Sequence, residues 1–234
     1  MNQQKKILLT VSQILYILFT AVMLISGSAI FIYLSNKLRQ HDLSRFDNHF
    51  IDLIQGMISH RSTLIMEFFT FIGSVLFIGI MVLLLAVLFI CFKWPRYAAF
   101  LVLSSGLGGL FNFFLKWLFK RERPDLLPLI QEHGFSFPSG HSMGSFIFYG
   151  SLAIILAKLS HKRAMNWIAG MIFAVVILLI GISRIYLGVH YPSDVVAGFA
   201  AGGVWLTVCL VGLEYYEFRQ KVIQNKADML RQDE

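Results

Sequence analysis

PSGHSMGSFIFYGSLAIILAKL, residues 138–159, opens on a turn and then runs without a formal charge from His141 to Ala157. Pro138 and Gly140 interrupt the preceding chain, Ser139 is a natural helix N-cap, and the apolar run that follows is close to the roughly 20 residues needed to cross a hydrocarbon layer. Working outward, comparable runs occupy residues 7–33, 64–92, 97–119, 164–182 and 195–216. About six transmembrane helices are therefore expected. Such helices satisfy their own backbone hydrogen bonds, and no alternating strand pattern suggests a barrel. Composition agrees: 57 % of residues are hydrophobic and 14 % charged, against about 25 % charge in soluble domains, and the mean hydropathy is +0.69. The expected architecture is an all-α polytopic membrane protein, one domain over residues 1–234 with no internal repeat.

Basic residues set an orientation. Lys5 and Lys6 precede the first run, Lys93 and Arg96 follow the second, Lys158, Lys162 and Arg163 follow the fourth, and Arg219, Lys221, Lys226 and Arg231 follow the last. The positive-inside rule then makes both termini cytoplasmic and places residues 34–63, 120–140 and 183–194 outside. Lys37, Arg39, Arg45, Arg61, Lys116, Lys120, Arg121, Arg123 and Arg184 also fall outside in this threading, which runs against the rule unless they serve an anion. The first run is longer than a signal-peptide core and lacks a cleavage pattern, so it is expected to remain as a span.

Within the first external connection, Phe46, Phe50, Leu53, Ile54, Met57 and Ile58 share one helical face, and Asp47, Asn48, Asp52 and Gln55 share the other. This predicts a short interfacial helix that closes the bundle at the membrane surface or gates substrate. Small residues at Gly198, Ala200, Ala201 and Gly202, and at Ser104, Ser105, Gly106, Gly108 and Gly109, predict close helix packing within the chain, with a dimer face as the alternative. Residues 217–234 read as a solvated helix or frayed tail. Cys91 and Cys209 fall inside apolar runs as packing thiols. The net charge of +7 does not indicate nucleic acid, because the cations flank spans instead of forming a soluble patch with interleaved aromatics. The bilayer, with anionic lipid, is the expected partner.

Three polar clusters stand out in so apolar a chain: Lys116 with Arg123-Pro124, Pro138-Ser139-Gly140-His141, and Ser183-Arg184 with His190 and Asp194. A helix starting at Ser139 presents unpaired N–H groups and the positive end of its dipole, a site suited to phosphate. His190 and Asp194 lie four apart, and Pro192 marks the first turn of the last helix, so the two side chains share a face. A carboxylate on Nδ1 leaves Nε2 free to attack and stabilises the charge that develops. Lysine and arginine are costly at mid-bilayer, so Lys116, Arg123 and Arg184 should gather at the external interface around the histidines. Arginine's planar fork suits phosphoryl oxygens, and lysine adds a point charge. Lys120 and Arg121 are read as headgroup-facing residues.

The spacing, Lys116 then six residues then Arg123-Pro124, Pro138 to His141, and Ser183-Arg184 then five residues, His190, three residues and Asp194, resembles the type 2 phosphatidic acid phosphatase (PAP2) superfamily. All three of its motifs occur in order within residues 116–194. The resemblance implies a membrane helical bundle in which His190 is the nucleophile forming a phosphohistidine and Asp194 orients it. It implies that His141 protonates the leaving oxygen and later activates water, while Lys116, Arg123, Ser139, Gly140 and Arg184 hold the phosphate. The expected activity is a lipid phosphatase of the extracytoplasmic membrane face. Undecaprenyl pyrophosphate, phosphatidylglycerophosphate and phosphatidic acid are the substrates such proteins accept, and short loops suggest a bacterial source. No metal-ligand cluster is visible and no cofactor is expected. His41, His49, His60, His133 and His161 match no motif, and Glu67 is an interfacial acid expected to pair with a base. A lipid-linked phosphotransferase using the same phosphohistidine and a non-catalytic lipid-phosphate transporter remain alternatives. Oligomeric state is not legible.

Overall fold

The computed structural model describes residues 11–124, 129–160 and 162–232. Lys5, Lys6 and His161 lie outside them. Eight helices follow in order: α1 (Val11–Arg39), α2 (Ser44–Gln55), α3 (His60–Ile72), α4 (Val75–Cys91), α5 (Pro95–Phe119), α6 (Gly140–Leu159), α7 (Arg163–Tyr186) and α8 (Pro192–Gln232). Among the described residues there is no strand. Five helices are long and apolar enough to span a membrane, and α3 with α4 makes a sixth if the bent pair counts as one.

The run read as one span over residues 64–92 is therefore two helices that meet at an angle of 49°. Ser74 causes the break by capping α4, its side chain accepting from the Phe77 N–H at 3.2 Å. A break exposes carbonyls that hydrocarbon cannot satisfy. One of them, on Ile72, accepts from the Tyr149 hydroxyl of α6 at 3.0 Å.

Solvation is inverted relative to a water-soluble bundle. Val75, Leu76 and Trp167 stand outward at 80 %, 73 % and 74 % exposure, whereas Ser139, Arg184 and Asp194 are fully buried. An apolar exterior around a polar cluster is favourable only where the solvent is hydrocarbon. The small-residue stripes pack within the chain: a Cβ on Gly198 would lie 2.7 Å from the Ser139 carbonyl oxygen, so glycine lets the start of α8 press against the start of α6. Gly108 packs likewise on Ile147 and Trp205, while Gly106 and Gly109 face open space.

At the opposite end of the bundle, Lys158 pairs with Glu214 at 2.5 Å and Glu217 at 2.9 Å. Both described chain ends leave from that end, and α8 continues as one helix to Gln232. The predicted interfacial helix is α2, but it ends at Gln55 with Gly56 as C-cap, so Met57 and Ile58 lie beyond it. Its polar face also differs from expectation. Asp47 turns inward and is 1 % exposed, because a carboxylate at that position meets a cation from α5's end. Glu67 is exposed on α3 and has no ion pair among the described residues.

Candidate active site

Four helix ends meet at one end of the bundle: the C-terminal turns of α5 and α7 and the N-terminal turns of α6 and α8. Lys116 lies in the last turn of α5, Arg123 follows that helix, Gly140 and His141 open α6, and His190 sits in the short connection before α8. These five residues line one cavity of about 480 Å³, with Val75 and Phe113 on its apolar side. Gly140 lies close under α5: a Cβ there would come within 3.1 Å of the Asn112 Oδ1 and press on that side chain. Arg184 and Asp194 are buried directly behind the wall. Ser139 is placed differently. Its N–H donates to the Asp194 carbonyl at 3.0 Å and its hydroxyl accepts from Ser142, so it holds the start of α6 against α8 from a fully buried position.

The two ring nitrogens of His190 have different surroundings. Nδ1 donates to Asp194 Oδ2 at 3.4 Å, and that oxygen also accepts from the Tyr191 N–H at 2.9 Å and from the Ser136 hydroxyl. With Nδ1 carrying the proton, the Nε2 lone pair accepts from Arg123 Nη1 at 3.3 Å. Burial pushes the His190 imidazole down to about 4, outweighing the opposing pull of Asp194, and Lys116 and Arg184 add repulsion. The lowered value means that His190 is neutral at neutral pH and is protonated only on strong acidification. Followed by NMR of the labelled Cε1 in detergent, His190 should titrate near pH 4. A midpoint near the ordinary value of about 6.5 would show that the ring is solvated.

The cations are held by fixed oxygens. Lys116 donates to the carbonyls of Phe135 and, at 3.4 Å, Ser136. Arg123 donates to the carbonyls of Val189 at 2.8 Å, Gly134 at 3.1 Å and His133 at 3.2 Å. Arg184 donates through Nη1 to the Thr70 hydroxyl of α3 and through Nη2 to Glu132 at 2.6 Å, while its buried Nε has no partner among the described residues. Glu132 also reaches Arg123 at 3.5 Å. Burial opposes ionisation of Glu132, but Arg184 and Arg123 outweigh it and lower its pKa. One carboxylate thus spans two arginines as an oxyanion of a ligand would. Among the described residues no three His, Cys, Asp or Glu side chains group as a metal site. His141 shares the cavity with His190, and its ring makes no hydrogen bond with a described residue.

The sequence model of the PAP2 superfamily matches residues 97–217, which include every residue of this cluster from Lys116 to Asp194. The chain belongs to the PAP2 superfamily. A phosphatidylglycerophosphatase B of Bacillus subtilis is 44 % identical over 107 residues, 44 % of this chain and 51 % of the relative, so the match spans about half of that protein. A lipid A 4'-phosphatase of Bacteroides thetaiotaomicron is 33 % identical over 183 residues, covering 70 % of this chain and 76 % of the relative. The crystal structure of a transmembrane PAP2-type phosphatidylglycerolphosphate phosphatase from Bacillus subtilis superposes with a TM-score of 0.77 at 28 % identity, over 83 % of this chain and 97 % of that one. The all-helical membrane fold of this PAP2 chain is therefore the expected one.

Four residues around the PAP2 cluster were not anticipated: Asp47, Arg121, Glu132 and Ser136. Arg121 corrects the headgroup reading, since its side chain is only 13 % exposed and bonds Asp47 and Asp194 instead of facing lipid. Its signal was its charge in an apolar chain, but Lys120 beside it carries the same signal and lies exposed over the Trp117 ring. Ser136 and Glu132 belong to an irregular connection with no periodicity to assign them a direction.

Proposed function

We propose that this protein hydrolyses a phosphomonoester or pyrophosphate of a membrane lipid through a phosphohistidine on His190. The observation that carries this reading is His190 in the wall of a cavity shared with His141, Lys116 and Arg123, with Asp194 on its Nδ1 and, on its Nε2, only an Arg123 N–H that a bound phosphate would draw to itself. Phosphate bound there would take the place of Glu132 on Arg184 and Arg123. Nε2 attacks phosphorus, the P–O bond to the lipid breaks, and His141 gives the leaving oxygen a proton. His141 then takes a proton from water, whose oxygen attacks phosphorus as the P–N bond breaks, and inorganic phosphate leaves. Lys116, Arg123 and Arg184 balance the charge on the equatorial oxygens throughout.

Lipid as the substrate class is supported by the cavity's apolar side. Val75 of α4 and Phe113 of α5 stand 80 % and 71 % exposed on the outer surface and also line the cavity, so a headgroup can reach the histidines while its tails stay in the bilayer. The distribution of basic residues, with both described chain ends opposite the site, supports an extracytoplasmic orientation in a cell membrane. An outward site suits undecaprenyl pyrophosphate released during wall assembly, and the phosphatidylglycerophosphatase relative supports phosphatidylglycerophosphate equally. Phosphate release from both lipids by purified protein in detergent with EDTA, beside His190→Ala, tests the reading. Fast, His190-dependent release supports it, and the ratio of kcat/KM between the lipids identifies the substrate. No release from either by folded protein would overturn it.

Glu132→Gln provides a separate check on the anion site. Removing the internal competitor should lower the concentration at which inorganic phosphate inhibits by several-fold, up to about tenfold for about 1.4 kcal/mol. Unchanged or weaker inhibition would mean that Glu132 and phosphate do not share the arginines.

A further inference from the structure

Arg121 lies among the six residues that separate Lys116 from Arg123, and Asp47 lies far upstream on α2. Neither lines the cavity that holds the histidines. Yet the two form one network with Asp194. Arg121 Nη1 donates to Asp194 Oδ1 and to the Ser193 hydroxyl, each at 2.7 Å, and Nη2 donates to Asp47 Oδ2 at 2.8 Å. Asp47 in turn accepts from the Ser193 N–H at 2.8 Å and the Ser193 hydroxyl at 2.9 Å. The guanidinium lies over the Tyr191 ring with its carbon 3.8 Å from the centroid.

The chemistry of this arrangement is specific to Asp194. That carboxylate must keep Oδ2 on His190 Nδ1, where the Tyr191 N–H and the Ser136 hydroxyl also bind it, and an anchor on Oδ1 as well fixes its rotation about the Cβ–Cγ bond. Arg121 holds the other oxygen. Asp47 fixes the second arm of the guanidinium and caps an orphan N–H in the first turn of α8, so the fork cannot swing away. Asp47 and Asp194 are also 1 % and 0 % exposed, and two carboxylates so close together resist simultaneous ionisation unless a cation lies between them. We propose that Arg121, clamped by Asp47, is a positioning residue that turns the Asp194 carboxylate toward His190. The interfacial helix α2 is thereby tied to the reacting histidine through one guanidinium. This inference rests on the nucleophile reading of His190.

The test uses the full-length protein in detergent, with the fraction folded measured for each variant. Arg121→Gln should lower kcat per folded enzyme about 10- to 100-fold, the scale seen when a partner that orients a working group through another is lost, with KM within about twofold. The KM is expected to hold because Lys116, Arg123 and Arg184 keep the phosphate. Arg121→Lys should be intermediate, because one ammonium cannot span Asp47 and Asp194 together. Arg121 also lines a second, open cavity of about 780 Å³, so added guanidinium can reach the space left by Arg121→Ala and should restore part of kcat. Should Arg121→Gln fail to fold, Asp47→Asn provides the measurement: it keeps Arg121 on Asp194 but frees its other arm, and a smaller fall in kcat at constant KM is expected. Loss of stability with kcat per folded enzyme unchanged would reduce Arg121 to a purely structural residue and overturn the proposal. A raised KM with unchanged kcat would make it a substrate-binding residue and also overturn it. Activity remaining in His190→Ala would instead remove the reading beneath it.

Discussion

His190→Ala is expected to leave a folded protein with no phosphate release above background and no phosphoenzyme. The imidazole is 2 % exposed, so its loss opens a small buried space, with a stability cost of the order of 1 to 3 kcal/mol. That cost lowers the melting temperature without explaining a lost activity. The neighbouring hydroxyls and the lysine are not placed to take over the attack: Ser136 and Ser142 have their hydroxyls bonded to Asp194 and Ser139, and Lys116 is held on carbonyls. Rapid quench after mixing with lipid phosphate labelled at phosphorus should trap acid-labile, base-stable label on wild type and none on His190→Ala. Substantial residual turnover in the variant would sink the nucleophile assignment.

His141→Ala should lower kcat about 10²- to 10⁴-fold, or about 3 to 5 kcal/mol, because general acid catalysis is removed while the nucleophile and the phosphate cations stay. Its size should depend on the leaving group. A phosphomonoester expels a poor alkoxide that needs the proton, whereas a pyrophosphate expels a phosphate that is stable without it. The first step should therefore suffer more with phosphatidylglycerophosphate than with undecaprenyl pyrophosphate, as read from the pre-steady-state burst. In the proposed mechanism hydrolysis of the phosphohistidine also uses His141 as base, so phosphoenzyme should accumulate on the pyrophosphate. An equal loss of burst rate on both lipids would argue that His141 positions substrate instead of donating a proton.

The membrane bundle was legible because hydropathy is a local property: a run near 20 apolar residues declares a span whatever it packs against. The bend within residues 64–92 was not legible, since Ser74 is one hydroxyl in an apolar run and its capping role appears only when the helix breaks. The candidate site groups were legible as types because charges and histidines stand out in such a chain, and motif spacing ordered them. Their placement was a separate matter. Ser139, expected at phosphate, is the cap that joins α6 to α8.

The sequence by itself determined that this is a polytopic helical membrane protein of the PAP2 type and singled out His141, His190 and Asp194 as candidate site residues, because composition and spacing along the chain carry that information. The tertiary structure alone decided that Asp47, Arg121, Glu132 and Ser136 surround them. Those contacts join residues tens of positions apart, and a buried charge reveals its role only through the partner that folding brings to it.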